Sequence, residues 1–219
     1  MLFRDRAEAG RRLAQALAAY KDRRPVVLAL PRGGAPVAAE IAVALDAPLD
    51  LVLARKIGAP GEPELAMGAV VDGEPPIVAR NEDVVEALGV SERQFAAACA
   101  RELDEIARRR RRLLGGRRRA EVAGRAAIVV DDGVATGATA RAALRAIRAR
   151  APSALILAVP IAAPDTIEAL SAEADAIVCL AAPPNFGAVG FYYDDFRQIE
   201  DEEVAAILAR FPDGADARG

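Results

Sequence analysis

Short, almost wholly apolar runs recur along the chain: PVVLAL, LDLVLA, AAIVV, ALILAVP and AIVCL. A strand with one face in water alternates apolar and polar residues. These runs do not alternate, so both faces are expected to be buried. Segments of helical period lie between them, such as Asp5 to Tyr20 with Ala9, Leu13, Ala16, Leu17 and Tyr20 on one side. Buried strands alternating with helices imply an α/β fold, a mostly parallel central sheet flanked by helices. At 219 residues with 53% hydrophobic content, the chain can bury one sizeable core. A single domain is expected over 1–212, with 73–119 inserted and 213–219 a disordered tail.

Within the insertion, Asn81 to Leu88 reads as a short helix. Ser91 and Gln94 form a capping-box pair that opens a longer one, ending at Gly115-Gly116. IGAPGEPEL, rich in Gly and Pro, reads as a loop. Asp165 and Glu168 suggest a capped helix, and DEEVAAILARF a last amphipathic one.

Composition removes several function classes. The 0 His exclude an imidazole triad, a Cys-His pair and His-ligated zinc. A net charge of −3 argues against bulk attraction to nucleic acid or membrane. The 2 Cys, Cys99 and Cys179, form no CxxC and read as reduced thiols. The opening MLFRDRAEAG puts charges where an export signal needs an apolar run, so a cytoplasmic location is expected. The longest apolar runs are too short to span a bilayer.

Chemistry concentrates in VVDDGVATGAT, at the end of the run AAIVV. Ligands of an open parallel sheet sit beyond the carboxyl ends of its strands. The small residues let the backbone curl, and the next helix begins there, so free amides and a positive dipole end make a nest for a phosphate. Thr136 and Thr139 add hydroxyl donors. Asp131 and Asp132 accept hydrogen bonds and suit sugar hydroxyls. A phosphate cradle beside a diol grip suits a ribose 5-phosphate. A Walker A loop is excluded because Ala138, not Lys, follows Gly137, and the GxGxxG of a dinucleotide site is absent. At another strand end, PRGG joins the fixed charge of Arg32 to two glycines that admit an anion to the backbone.

IVVDDGVATGAT resembles the phosphoribosyl-pyrophosphate signature of the type I phosphoribosyltransferases. PRGG and RKIGAPGEPE resemble the same segments in the broadly distributed members with those motifs. The resemblance implies the type I phosphoribosyltransferase fold with a small hood, built from the insertion and a late loop over 183–197. It implies transfer of a phosphoribosyl group from phosphoribosyl pyrophosphate to a nitrogenous base or similar acceptor. Asp131 and Asp132 would bind the ribose 2- and 3-hydroxyls. Gly133 would start the turn, and Val134, Ala135, Thr136, Gly137, Ala138 and Thr139 would wrap the 5-phosphate. Arg32, Gly33 and Gly34 would form the pyrophosphate loop, in a position where the family often has a cis peptide. Lys56, and less directly Arg55, would contact pyrophosphate from a loop able to close as a lid. Glu64 in that loop is a candidate for metal-bound water or the base, or simply faces solvent. Mg²⁺ would arrive with the donor, touched by Asp131 and Asp132 through water rather than held directly. A homodimer is expected on the same ground.

For the acceptor, PPNFGAVGFYYDDF is similar to the late hood loop of the hypoxanthine-guanine enzymes. It offers Phe186 as a stacker, with Tyr192, Tyr193 and Asp194 nearby; the other reading is an aromatic cluster that packs the last helix. Those enzymes carry an acid where this chain has Ala135, and a lysine upstream of the loop that VCLAAPP lacks. Purine specificity is therefore not expected.

The run RRRRRLLGGRRR, Arg108 to Arg119, keeps a second hypothesis open: a regulator that senses phosphoribosyl ligands and binds nucleic acid. No aromatic side chains interleave the run to stack bases. A solvated helix face, or a contact with acidic partners, is the expectation, and no nucleic-acid partner is expected.

Overall fold

The computed structural model describes residues 2–73 and 75–212, except the side chains of Pro63 and Glu64. The tail expected over 213–219 lies outside these residues. Among the described residues, β1 (Val26–Ala29), β2 (Leu49–Leu51), β6 (Ala126–Val130), β7 (Ala154–Ile161) and β8 (Ala176–Ala181) form a five-stranded sheet in the order β2-β1-β6-β7-β8. Every neighbouring pair in it is parallel. The expected apolar runs are these strands, and β1 and β6 are buried along their whole length.

Alternate residues of the strands enter two cores. Val27, Ala29, Ile128, Val130 and Ile156 face helices α1 (Arg6–Ala16), α2 (Gly34–Leu45) and α7 (Asp201–Leu208). Val26, Leu28, Ala127, Val129 and Leu157 face α5 (Ala138–Arg148), with Leu170 of α6 (Pro164–Leu170). Both faces are thus covered, as uniformly apolar strands require. Asp5 caps α1, its carboxylate accepting the Glu8 N–H at 2.7 Å. The expected cap of α6 does not form: Ala163 precedes the helix, no side chain caps it, and Pro164 opens it.

The segment expected as a loop after Arg55-Lys56 is instead a β-hairpin. Strands β3 (Ala54–Ala59) and β4 (Glu62–Val71) pair antiparallel, and β5 (Ile77–Arg80) adds to β4. Only Pro60 and Gly61 remain between β3 and β4, with Gly61 at φ 80°. Helices α3 (Glu82–Ala87) and α4 (Glu92–Leu114) follow. The capping box of Ser91 and Gln94 opens α4, and Gly115 at φ 55° ends it. Residue pairs between α4 and both β3 and α7 bring this helix over the carboxyl end of the main sheet. No helix among the described residues is long and apolar enough to cross a membrane.

Candidate functional site

Strand order makes the site. The chain enters the sheet at β1, steps to β2, then returns to β6 on the other side of β1. Loops after β1 and β6 therefore diverge in direction and leave a crevice between them, the usual ligand position in an open parallel sheet. The two motifs occupy those loops: Pro31 to Gly34 after β1, and Asp131 to Gly137 after β6.

The loops touch. The Leu30 N–H donates to the Val130 carbonyl at 2.8 Å, extending the ladder to the last strand residues. A Cβ on Gly33 would stand 2.0 Å from Asp132 Oδ2, and one on Gly34 would stand 2.5 Å from the Val130 oxygen. Both glycines are thus required by close approach to the acid pair. The Pro31–Arg32 peptide is cis, as the resemblance led one to expect.

Asp132 is held by Arg6 and by Tyr193. Arg6 of α1 donates from Nε to Asp132 Oδ2 at 2.8 Å. The same guanidinium donates to the Arg197 carbonyl at 2.9 Å and lies 3.9 Å above the Phe196 ring. The Tyr193 hydroxyl donates to the Asp132 carbonyl oxygen at 2.6 Å. Burial, and then the Asp132 charge, raise the Tyr193 pKa, so the phenol stays a donor. Asp131 has no such cation. It accepts the Asp132 N–H at 2.9 Å, while burial and the neighbouring carboxylate push its pKa well above the usual range. Asp131 therefore favours ligands that bring hydrogen-bond donors or positive charge.

Beyond the acids, the Val134 N–H donates to the Ile161 carbonyl at 2.9 Å, and the Thr166 hydroxyl donates to the Ala135 carbonyl at 2.5 Å. These bonds pin the turn to the end of β7 and to α6. Gly137 caps α5 at φ 75°, a left-handed position that suits glycine. The first bond of α5 runs from the Arg141 N–H to the Gly137 carbonyl. The preceding amides of Ala138, Thr139 and Ala140 thus have no partner within the helix. Ala135, Thr136, Ala138 and Thr139 are exposed beside them, and Gly133 lies beneath Val189.

On the other side of PRGG, a cavity of about 710 Å³ brings Arg32 together with Arg55 and with Arg108, Arg109 and Arg112 of α4. Arg55 also pairs with Glu102 at 2.5 Å. Lys56, the next residue of β3, is exposed and does not line this cavity. The side chain of Glu64 lies outside the described residues. The arginine run is not simply a solvated face. Arg110 and Arg119 both bond Asp72, and Arg117 donates to the carbonyls of Phe211 and Pro212.

The late loop reaches the acids through Tyr193 rather than Phe186. Phe186 is half-buried against Tyr192, with ring centroids 5.8 Å apart, and the Tyr192 hydroxyl donates to the Phe186 carbonyl at 3.0 Å. The Asp194 side chain is exposed, while its N–H donates to the Phe3 carbonyl at 2.9 Å. Arg6 escaped sequence reasoning altogether. It sits 126 positions from its partner, and nothing in the local pattern of α1 marks it.

Among the described residues no group of three or more His, Cys, Asp or Glu side chains could hold a metal by itself. Two adjacent carboxylates joined by a ligand's phosphates do suit Mg²⁺, which keeps most of its waters.

A family model described as the phosphoribosyl transferase domain matches residues 4–195. Two Mycobacterium tuberculosis proteins carrying the name "Putative phosphoribosyl transferase" are each 47% identical to the chain over 209 residues, 95% of its length and 47% of theirs. The chain thus spans about half the length of these curated relatives. The crystal structure of TT1426 from Thermus thermophilus aligns with a TM-score of 0.81 at 43% identity, covering 96% of this chain and 99% of that one.

Proposed function

We propose that this chain, which belongs to the phosphoribosyl transferase domain family and whose parallel five-stranded sheet is that of the type I fold, transfers the 5-phosphoribosyl group from phosphoribosyl pyrophosphate to a nitrogenous acceptor, releasing pyrophosphate. The observation that carries this reading is the contact of the two loops: Gly33 and Gly34 leave no room for a side chain beside Asp131 and Asp132. A sugar gripped by the acids then has its C1 substituent directed toward the Arg32 side of the crevice and its 5-phosphate toward α5.

In the reaction, the acceptor nitrogen forms a bond to C1 as the bond from C1 to the pyrophosphate oxygen breaks. The transition state is oxocarbenium-like, with positive charge on the sugar and negative charge on the leaving group. Asp131 and Asp132 accept the ribose hydroxyls and favour the positive centre. Arg32 and Arg55, joined by Lys56 if the β3–β4 hairpin shifts, favour the leaving group; charge already in place costs no reorganisation at that moment. Arg6 and Tyr193 are positioning residues that act through Asp132. Mg²⁺ carried by the donor would neutralise pyrophosphate charge, with Asp131 and Asp132 holding it through water. Ala135 offers no base, so the acceptor's proton leaves by another route.

The test is release of pyrophosphate from phosphoribosyl pyrophosphate with Mg²⁺ across a panel of nitrogen heterocycles, beside an Asp131→Asn/Asp132→Asn variant. Release that depends on one acceptor and disappears in the variant is expected. Donor binding without release under any acceptor would replace transfer by sensing, and absence of donor binding would end the reading.

A further inference from the structure

The arginine-lined cavity is larger than a pyrophosphate group needs. At about 710 Å³ it falls in the range that holds whole small-molecule ligands. Five guanidiniums line it, against the carboxylates of Glu105 and Asp201. Three of the five belong to α4 at positions 108, 109 and 112, the spacing that places side chains on one face over a single turn, about 6 Å of helix.

Three of these cations have close partners, Arg55 in Glu102, Arg108 in Glu105 and Arg112 in Glu202, whereas Arg32 and Arg109 are poorly compensated. Arg109 approaches Asp201 only to 3.7 Å, Arg32 to 3.8 Å and Arg112 to 3.5 Å. Asp201 Oδ1 is buried with no hydrogen-bond partner. Neither Arg32 nor Arg109 donates a side-chain hydrogen bond to any described residue. The Arg109 pKa is lowered, first by burial and then, against the pull of Asp201, by Arg32 and Arg55. Asp201, the first residue of α7, is a loose stand-in for an anion, and its place at a helix N-terminus keeps it stable if displaced from the arginines. Guanidinium forks match phosphate oxygens two at a time, which an isolated carboxylate at these distances does not exploit.

We propose that this cavity binds an oligophosphate, a chain of three or more phosphates, free or carried by a nucleotide. Arg32 and Arg55 hold part of the phosphate chain, and Arg108, Arg109 and Arg112 of α4 hold the rest. Because Pro31 and Arg32 of the PRGG loop line the cavity, an oligophosphate competes with phosphoribosyl pyrophosphate. The competition rests on the proposed donor site; direct binding does not. The aromatic stacking platforms that single-stranded nucleic acid uses are absent from the lining, which favours a compact ligand over an RNA strand.

The test is calorimetric titration of the full chain with pyrophosphate, tripolyphosphate and ATP at fixed ionic strength. It is repeated with Arg108→Gln/Arg112→Gln, Arg109→Gln and Asp131→Asn/Asp132→Asn, each first checked to be fully folded at the titration temperature. Tripolyphosphate is expected to bind about tenfold more tightly than pyrophosphate, the worth of one added charged hydrogen bond. The arginine variants lose that gain, and Arg108→Gln/Arg112→Gln keeps donor binding. The acid-pair variant loses the donor and keeps tripolyphosphate, so failure of the donor site and failure of this one are distinguishable. ATP equal to tripolyphosphate identifies the phosphate chain alone as the ligand, and ATP tighter identifies a nucleotide; both support the proposal. Tripolyphosphate no tighter than pyrophosphate, or equally tight in the arginine variants, overturns it. So does an RNA oligonucleotide that outcompetes tripolyphosphate at the same arginines.

Discussion

Replacing Gly34 with alanine tests the contact on which the acid pair and the PRGG loop depend. The new methyl would stand 2.5 Å from the Val130 carbonyl oxygen and 3.1 Å from the Asp131 Cα. Neither is the free end of a side chain that could swing aside. The Val130 oxygen already takes the Leu30 N–H, so relief requires the loop to move off the strand end. Restoring an ordinary carbon–oxygen separation takes roughly 0.5–1 Å. Overpacking of this kind costs about 1–3 kcal/mol. Alanine is the better helix former at the first residue of α2, which returns less than about 1 kcal/mol. The net loss is about 1–2 kcal/mol, equivalent to roughly 2–8 °C in Tm for a chain of this length. The same displacement pulls Arg32 out of register with Asp131, and a misplacement near 1 Å costs up to about a hundredfold in a reacting geometry.

The assay pairs a thermal melt with calorimetric titration of phosphoribosyl pyrophosphate and Mg²⁺. Gly116→Ala is the control, since a Cβ there meets nothing within 4 Å. Gly34→Ala should melt lower than the control and bind the donor at least about tenfold more weakly. A variant that melts with the wild type refutes the packing argument. One that melts lower yet binds the donor normally leaves the packing intact and refutes the placement of donor between the loops.

Two further perturbations follow from the acid pair itself. Arg6→Gln leaves Asp132 without its cation at a nearly buried site, which is expected to cost about 3 kcal/mol in denaturant melts. Arg6→Gln/Asp132→Asn should lose less than the sum of the two single variants, and strict additivity would show that the pair does not interact. Asp131→Asn concerns pH. The folded Asp131 holds its proton more tightly than the unfolded one, so stability falls as pH rises from about 4 through the raised folded value. The asparagine variant lacks that loss. It should be more stable than wild type at neutral pH and converge with it toward pH 4, while losing donor affinity. Parallel stability curves from pH 4 to 8 would contradict the raised carboxyl.

What could be read from the chain was local. Asp131, Asp132, Gly33 and Gly34 stand at the ends of runs too apolar to be anything but buried strands, and strand ends are where a parallel sheet keeps its ligands. The hairpin of β3 and β4 hid itself by a different local fact. Its register shifts at Ile57/Gly58 and at Gly58/Ala59, so the pairing is irregular where GAPGEP, rich in Gly and Pro, imitates a loop. Other features were out of reach because their meaning is set by distant partners. Tyr193 meets Asp132 across 61 positions, and Arg6 across 126. A run of arginines says nothing of which members turn inward until α4 is laid against α7 and β3, whereupon Arg109 and Arg112 face Asp201 and Arg110 faces Asp72. Arg6 and Tyr193 share one property: each comes from outside the five strands and closes on a loop that the strands present. Phe3 pairs with Tyr193, so the segments carrying Arg6 and Tyr193 form one clasp on Asp132. The sheet thereby supplies the reactive groups, and the elements that first and last join it determine how firmly they are held.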